Sequence, residues 1–220
     1  MTQALLFDLD GTLIDSDPDH LIAFQEVFAP HGIALDHALY TSQIMGASNA
    51  MIGDRFLAHL PVEERLAVLE AKEAAFRARM SATATPTRGA AELLAYAEAR
   101  GLPRAVVTNA PRANAEKALA ALGLAALLPL VVIGGELARS KPDPLPYPTA
   151  LELIGASAEM AVAFEDSLSG VQAAVAAGLA VVGITTGLSA ERLSAAGAIF
   201  AVEDFHDSRI YELIAAKAAL

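Results

Sequence analysis

One stretch constrains this chain more than any other: the apolar run Ala4-Leu5-Leu6-Phe7 passes directly into Asp8-Leu9-Asp10-Gly11-Thr12. A short continuous apolar run reads as a strand buried on both faces. Gly11 supplies the freedom for a sharp turn just past its end. Side chains alternate along an extended chain, so Asp8 and Asp10 project to one side and Phe7 and Leu9 to the other. Carboxylates at the carboxyl end of a buried strand sit where open α/β sheets place their ligands. Keeping both ionised there requires a cation or another positive group. The same residues also suit an ordinary Asp/Gly turn, so the rest of the chain has to decide.

Beyond residue 89 the pattern is regular. Helices are expected over 90–99, 113–122, 149–153 and 167–177, with strands at 104–108, 130–133, 161–164, 180–184 and 198–202 and a C-terminal helix. Alternation of this kind predicts an α/β fold, a parallel sheet covered by helices on both faces. The region before it contains no convincing strand. Asp17-Pro18-Asp19 begins a helix, with acids near its N-terminus and proline in the first turn. A second helix from about Pro61 carries Leu66, Leu69, Glu73, Phe76 and Met80 at steps of three and four, with Glu73 and Arg77 spaced to pair. Small residues, Pro86 and Gly89 make 81–89 a linker. The first strand belongs to the sheet, so 15–84 reads as a helical insertion into a core made of 1–14 and 85–220.

Three further clusters fall just beyond strands. Thr108-Asn109 offers a hydroxyl and backbone N–H groups to phosphate oxygens, or a plain helix cap. Arg139-Ser140-Lys141-Pro142-Asp143-Pro144 holds a lysine in a loop that prolines at 142, 144, 146 and 148 should keep free of regular structure. Glu165-Asp166 places acids at the end of an apolar strand, suited either to the start of a helix or, with Asp8, to a hard cation such as Mg²⁺.

Composition closes off other classes. Lys and Arg total 15 against 26 Asp and Glu, a net charge of −11 with no basic run, which leaves no electrostatic footprint for nucleic acid or an anionic membrane. There is no cysteine, hence neither a disulfide framework nor a thiolate metal site. The uncharged stretch 118–135 is cut by Gly123 and Pro129 into a helix end and a strand. No obligate protein partner is evident. The N-terminus lacks a basic leader, so the expected location is cytoplasmic.

In this order, FDLDGTLIDS, VTNAPR, SKPDP with a nearby Pro-Tyr, and FEDSLSG together resemble the haloacid-dehalogenase-like hydrolase superfamily, whose core is Rossmann-like. Within it they are similar to the branch of sugar-phosphate and phosphoglycolate phosphatases and beta-phosphoglucomutase. The resemblance implies Asp8 as nucleophile and Asp10 as general acid and base. Thr108 would bind phosphate and Lys141 would steady the nucleophile and phosphoryl charge. Asp8, the Asp10 carbonyl, Asp166 and Glu165 would hold Mg²⁺. It implies a small phosphomonoester as substrate, with Asn109, His20, Ser48, Asn49 and Lys72 reaching it. For His20 and Lys72 the alternatives are a helix-surface histidine and a solvated lysine. His31, His37, His59 and His206 read as surface residues. The name-giving dehalogenases lack the second aspartate, so Asp10 argues for phosphoryl chemistry. Asn49 stands where the mutase has a phosphate-binding arginine, which favours hydrolysis over a mutase. The helical insertion matches the family's cap, and an acid that protonates the leaving oxygen must be protonated when substrate binds, so the Asp10 pKa should be raised inside the closed cap.

Overall fold

The computed structural model describes residues 3–83 and 85–218. Six strands, β1 (Ala4–Phe7), β2 (Arg104–Thr108), β3 (Val131–Ile133), β4 (Ala161–Glu165), β5 (Ala180–Ile184) and β6 (Phe200–Val202), form one parallel sheet in the order β3-β2-β1-β4-β5-β6. The chain reverses its direction of winding between β1 and β4, which makes their carboxyl ends the natural crevice of a doubly wound sheet. Among the described residues ten helices accompany the sheet: α1 (Asp17–Phe28), α2 (His37–Gln43), α3 (Asn49–Phe56), α4 (Val62–Thr83), α5 (Ala90–Ala99), α6 (Arg112–Ala121), α7 (Pro146–Ile154), α8 (Leu168–Ala176), α9 (Ala190–Ala196) and α10 (Ser208–Ala218).

Alternation along β1 sorts the core into two layers. Leu5 and Phe7 pack with Leu93 of α5, Leu119 of α6 and Ile210 of α10. Ala4 and Leu6 face Tyr147 of α7, Val171 of α8 and Leu193 of α9. Phe7 lies opposite Phe164 in the register, their rings stacked at 4.9 Å. A third apolar cluster, Phe24, Phe28, Leu35, Tyr40, Ile44, Ile52, Leu57 and Leu69, belongs to the helices before residue 80 and is separate from both.

The α/β class, the six strands and the helical region between the first two hold as read from sequence. Several details differ. The stripe on α4 is not one face: Leu66 is exposed, Leu69 joins the third cluster, and Phe76 and Met80 pack into the sheet-side core. α4 extends through Thr83 into the expected linker, because neither proline nor glycine interrupts it before Pro86, and Ala84 lies outside the described residues. Leu13 and Ile14 run beside Pro86 and Thr87, with the Thr87 N–H donating to the Leu13 carbonyl at 2.9 Å. Pro146 and Pro148 do not hold a loop open. They occupy the first turn of α7, where a missing N–H costs no helical hydrogen bond. α9, capped by Ser189 and ended by Gly197 at φ +117°, was not read from sequence.

Candidate active site

β1 ends at Phe7, and the Asp8 N–H still bonds to the Phe164 carbonyl at 3.0 Å, so Asp8 is fixed by the sheet itself. Beyond it Gly11 turns at φ +77°, and a Cβ there would lie 2.1 Å from Asp166 Oδ2. Only glycine lets the first loop approach the fourth strand this closely. Asp166 in turn accepts from the Thr12 hydroxyl at 3.2 Å.

Lys141 reaches this point from the loop after β3, preceding a cis bond to Pro142. Its Nζ donates to Asp8 Oδ1 at 2.8 Å, to Glu165 Oε1 at 2.5 Å and to the Val107 carbonyl at 2.5 Å. All three donor hydrogens of the ammonium therefore have acceptors. Burial pulls the Lys141 pKa down, but Asp8 and Glu165 outweigh it and hold it above its ordinary value. Asp8 goes the other way: burial, with Glu165 and Asp10 adding to it and Lys141 opposing, raises it to about 7. Asp166 is raised well above the carboxylate range by burial and by the Asp8, Asp17 and Glu165 charges around it.

Asp8, Glu165 and Asp166 offer carboxylate oxygens within 4.8 Å of one another, all buried. The donor set fits a hard divalent cation: oxygen ligands only, and more buried acid than one lysine neutralises. Glu165 has prior commitments. Its Oε1 also accepts from the Tyr147 hydroxyl at 2.5 Å, Ser167 lies 3.4 Å from Oε2, and a Cβ on Gly170 would sit 1.8 Å from that oxygen. Asp8 and Asp166 are the freer members of the trio.

Asp10 is held by other means. Its Oδ1 accepts from Ser16 Oγ at 2.6 Å and lies 3.3 Å from His20 Nε2. Lys72 Nζ is 2.9 Å from the other nitrogen of that ring. An ammonium can only donate, so Nδ1 accepts and Nε2 carries the proton toward Asp10. Burial would raise the Asp10 pKa, but His20, the Ser16 hydroxyl and Lys72 together hold it below the ordinary value. Without substrate, the site as it stands stabilises the ionised form.

The other expected residues divide. Thr108 lines the same cavity, its Oγ1 accepting from the Ala110 N–H at 3.0 Å. The Asn109 amide clamps the backbone of Lys141, accepting from its N–H at 3.2 Å and donating to its carbonyl at 3.1 Å, and also donates to the Gly46 carbonyl. His20, Asn49 and Lys72 line the cavity with Asp8, Asp10, Lys141 and Asp166. Ser48 does not. It caps α3 through the Met51 N–H and lines an adjoining cleft instead. Lys72 is 2% exposed, which rules out a solvated lysine. Glu73 pairs with Lys72, Asn49 and Asn114 rather than with Arg77, which bonds to Asn114.

Sequence reasoning missed Thr12, Ser16, Glu73 and Asn114, and took Tyr147 only as part of a Pro-Tyr pair. Ser16 stood in plain view six residues after Asp10; nothing local marks the others. Among the described residues no helix is long and apolar enough to cross a membrane.

Residues 5–184 match the family described as haloacid dehalogenase-like hydrolase. A validoxylamine A 7'-phosphate phosphatase of Streptomyces hygroscopicus subsp. limoneus is 36% identical over 89% of this chain and 92% of its own. A phosphoglycolate phosphatase of Rhodospirillum rubrum is 34% identical over 93% and 88%. Among solved structures, CbbY from Rhodobacter sphaeroides in complex with xylulose-1,5-bisphosphate superposes with a TM-score of 0.82 at 30% identity, over 94% of this chain and 96% of that one.

Proposed function

We propose, from the premise that the chain belongs to the haloacid dehalogenase-like hydrolase family, that it is a Mg²⁺-dependent phosphatase of small phosphorylated metabolites that works through an aspartyl-phosphate. The observation that carries this reading is the convergence of Lys141 on Asp8 beside Asp166, at the point where the sheet reverses.

Asp8, Asp166 and the Asp10 carbonyl would hold Mg²⁺, which supplies charge neutralisation for a phosphoryl group facing carboxylates. Glu165 serves chiefly to anchor Lys141. The free oxygen of Asp8 attacks phosphorus while the bond to the leaving oxygen breaks, with Lys141 and the Thr108 hydroxyl steadying the transferring oxygens. Asp10 gives its proton to that leaving oxygen, then removes one from the water that cleaves the aspartyl-phosphate. Asp10 is ionised in the resting site, so its proton arrives with the substrate, whose negative charge raises the Asp10 pKa. Residues 15–84 act as the cap. The segments Leu13–Ile14 and Pro86–Thr87, joined by an isolated bridge, are its hinge, and closure expels water from the site. Hydrolysis is favoured over phosphate transfer between two ends of a sugar, because the Asn49 amide is bonded to Glu73 and offers no cation to a second phosphate.

The test is a phosphomonoester panel with purified protein and Mg²⁺, reading released phosphate. Asp8→Asn keeps the shape and removes the anionic nucleophile, so turnover should fall by about 10³-fold or more. It should also stop in excess chelator. Full turnover in either case overturns the assignment of Asp8.

A further inference from the structure

The part of the cavity furnished by α1–α4 is organised by one acid that the proposed chemistry does not use. Glu73, on α4, is 5% exposed and lines the cavity. Its Oε1 accepts from Lys72 Nζ at 3.0 Å and from Asn49 Nδ2 at 2.8 Å, and its Oε2 accepts from Asn114 Nδ2 at 2.5 Å. Asn114 stands on α6 of the sheet domain and is itself held by Arg77 at 2.9 Å, so the carboxylate is fixed from both sides.

Glu73 cancels the one cation on that side. Among the described residues of the cavity, Lys141 belongs to Asp8 and Glu165, and Lys72 to Glu73. In the adjoining cleft Arg112 is paired with Glu136 and Arg139 with Asp143. Asp10 and Asp17 face the cavity as well. A carboxylate or second phosphate on the leaving group would meet acids with no cation left to pair it, and a buried unpaired charge is costly. A hydroxyl would meet both donors and acceptors: the Asn49 amide, the Lys72 ammonium and the Glu73 carboxylate. Phe24, Ile44 and Ile52 supply the apolar wall between them.

We infer that this site selects phosphomonoesters whose leaving group is uncharged and hydroxylated, and that Glu73 is the residue that sets this selection by neutralising Lys72 and orienting Asn49. The inference rests on the phosphatase reading above. It separates this chain from an enzyme for phosphoglycolate, whose leaving group carries a carboxylate, and from one for sugar bisphosphates.

Matched esters that differ only by CH₂OH against carboxylate test it. Glycerol 3-phosphate is set against 3-phosphoglycerate, and sorbitol 6-phosphate against 6-phosphogluconate, with the four- and five-carbon alditol and aldonate pairs between. 4-Nitrophenyl phosphate is the common control. The wild type should favour the neutral member by about tenfold or more in kcat/KM. Glu73→Gln frees the Lys72 charge and should narrow that ratio by about tenfold. Asn49→Lys, at a partly exposed position, adds a cation to the same place, should act in the same direction, and carries the test should Glu73→Gln fold poorly. Turnover of the control with no neutral ester hydrolysed, or with a neutral-to-anionic ratio at or below one, overturns this inference alone. A ratio above one that neither variant moves overturns the role of Glu73. Absence of phosphate release from every ester, the control included, overturns the phosphatase reading and this inference with it.

Discussion

Two lysines in this molecule are equally buried, at 2% exposure, and both sit on a glutamate and over an aromatic ring. Lys141 bonds Glu165 at 2.5 Å with its ammonium 5.3 Å from the Tyr147 ring centre. Lys72 bonds Glu73 at 3.0 Å and lies 4.3 Å from the centre of Phe24. Burial pushes both pKa values down, yet Lys141 ends above its ordinary value and Lys72 below. The difference is the number of acids in reach. Lys141 bonds a second carboxylate, Asp8, whereas the other partner of Lys72 is the neutral His20 Nδ1, Asp10 acts on it only from a distance, and Arg77 pushes its pKa down. In the proposed reaction Lys141 is the cation that meets phosphoryl charge. Lys72 is a cation already balanced by Glu73, which in the inferred selection keeps a second charge out. Equal burial therefore serves opposite purposes, and electrostatic surroundings decide which.

The contrast breaks most visibly at Lys141. Lys141→Met preserves volume while removing the charge beside the proposed nucleophile. Loss of a positioned donor of this kind should lower kcat by about 10²- to 10³-fold. The loss should be similar for 4-nitrophenyl phosphate and for the best metabolite, since Lys141 meets the part of the ester they share. Steady-state rates on both substrates check this. A loss confined to the metabolite would assign Lys141 to the leaving group instead.

What the sequence made legible follows the same division. Asp8 and Asp166 lie just past strands, Thr108 ends one and Lys141 sits in the loop that follows one, and a parallel sheet gathers its carboxyl ends, so local reading was enough to bring them together. Glu73 was legible only as a helical residue. Its spacing from Arg77 suited a surface pair, but the local helix cannot reveal that Asn114, forty-one residues away, takes one oxygen and leaves the other to Lys72. The Leu66-to-Met80 stripe failed for a related reason. Periodicity reports which side of a helix is buried but not that its partner changes along the length, with solvent at Leu66, helices at Leu69 and the sheet core at Phe76. The partner that holds Asp10 ionised without substrate was not legible either, because His20 lies ten residues on and on another element.

A second test separates the two regions through Mg²⁺ and pH. Without a divalent ion, the folded state binds protons at Asp8 and Asp166 more tightly than the unfolded chain does. The resulting stability is full below the ordinary 3.8 and is lost as pH rises toward the folded value of about 7. Mg²⁺ replaces those protons, so it should stabilise the protein little at pH 5 and strongly at pH 8. At saturating metal the rise in Tm at pH 8 should be on the order of 5 °C. Asp166→Asn should lose that rise, whereas Lys72→Met should keep it. Thermal melts with and without metal at the two pH values decide the matter. An equal shift at both, or one that survives Asp166→Asn, places the ion elsewhere.

The smallest effect expected is at Lys72 itself, and it is a change of ranking more than of rate. Lys72→Met keeps an unbranched side chain of similar volume and removes the ammonium that lies 4.3 Å from the centre of Phe24 and 5.4 Å from that of Phe76. Glu73 retains Asn49 and Asn114, so the carboxylate stays bonded. His20 loses the donor at Nδ1 and with it the fixed orientation of the Nε2 proton toward Asp10. An alkyl leaving group needs that Asp10 proton, and its hydroxyls would use the missing ammonium. 4-Nitrophenolate leaves without protonation and makes few contacts with α1–α4. The ratio of kcat/KM for the best metabolite to that for 4-nitrophenyl phosphate should therefore fall by about five- to tenfold, while the aryl rate changes by less than about threefold. Measured below the melting temperature of the variant, an unchanged ratio would mean that Lys72 only supports the packing of α4 on α1. The division of labour between the two lysines would then reduce to Lys141 alone.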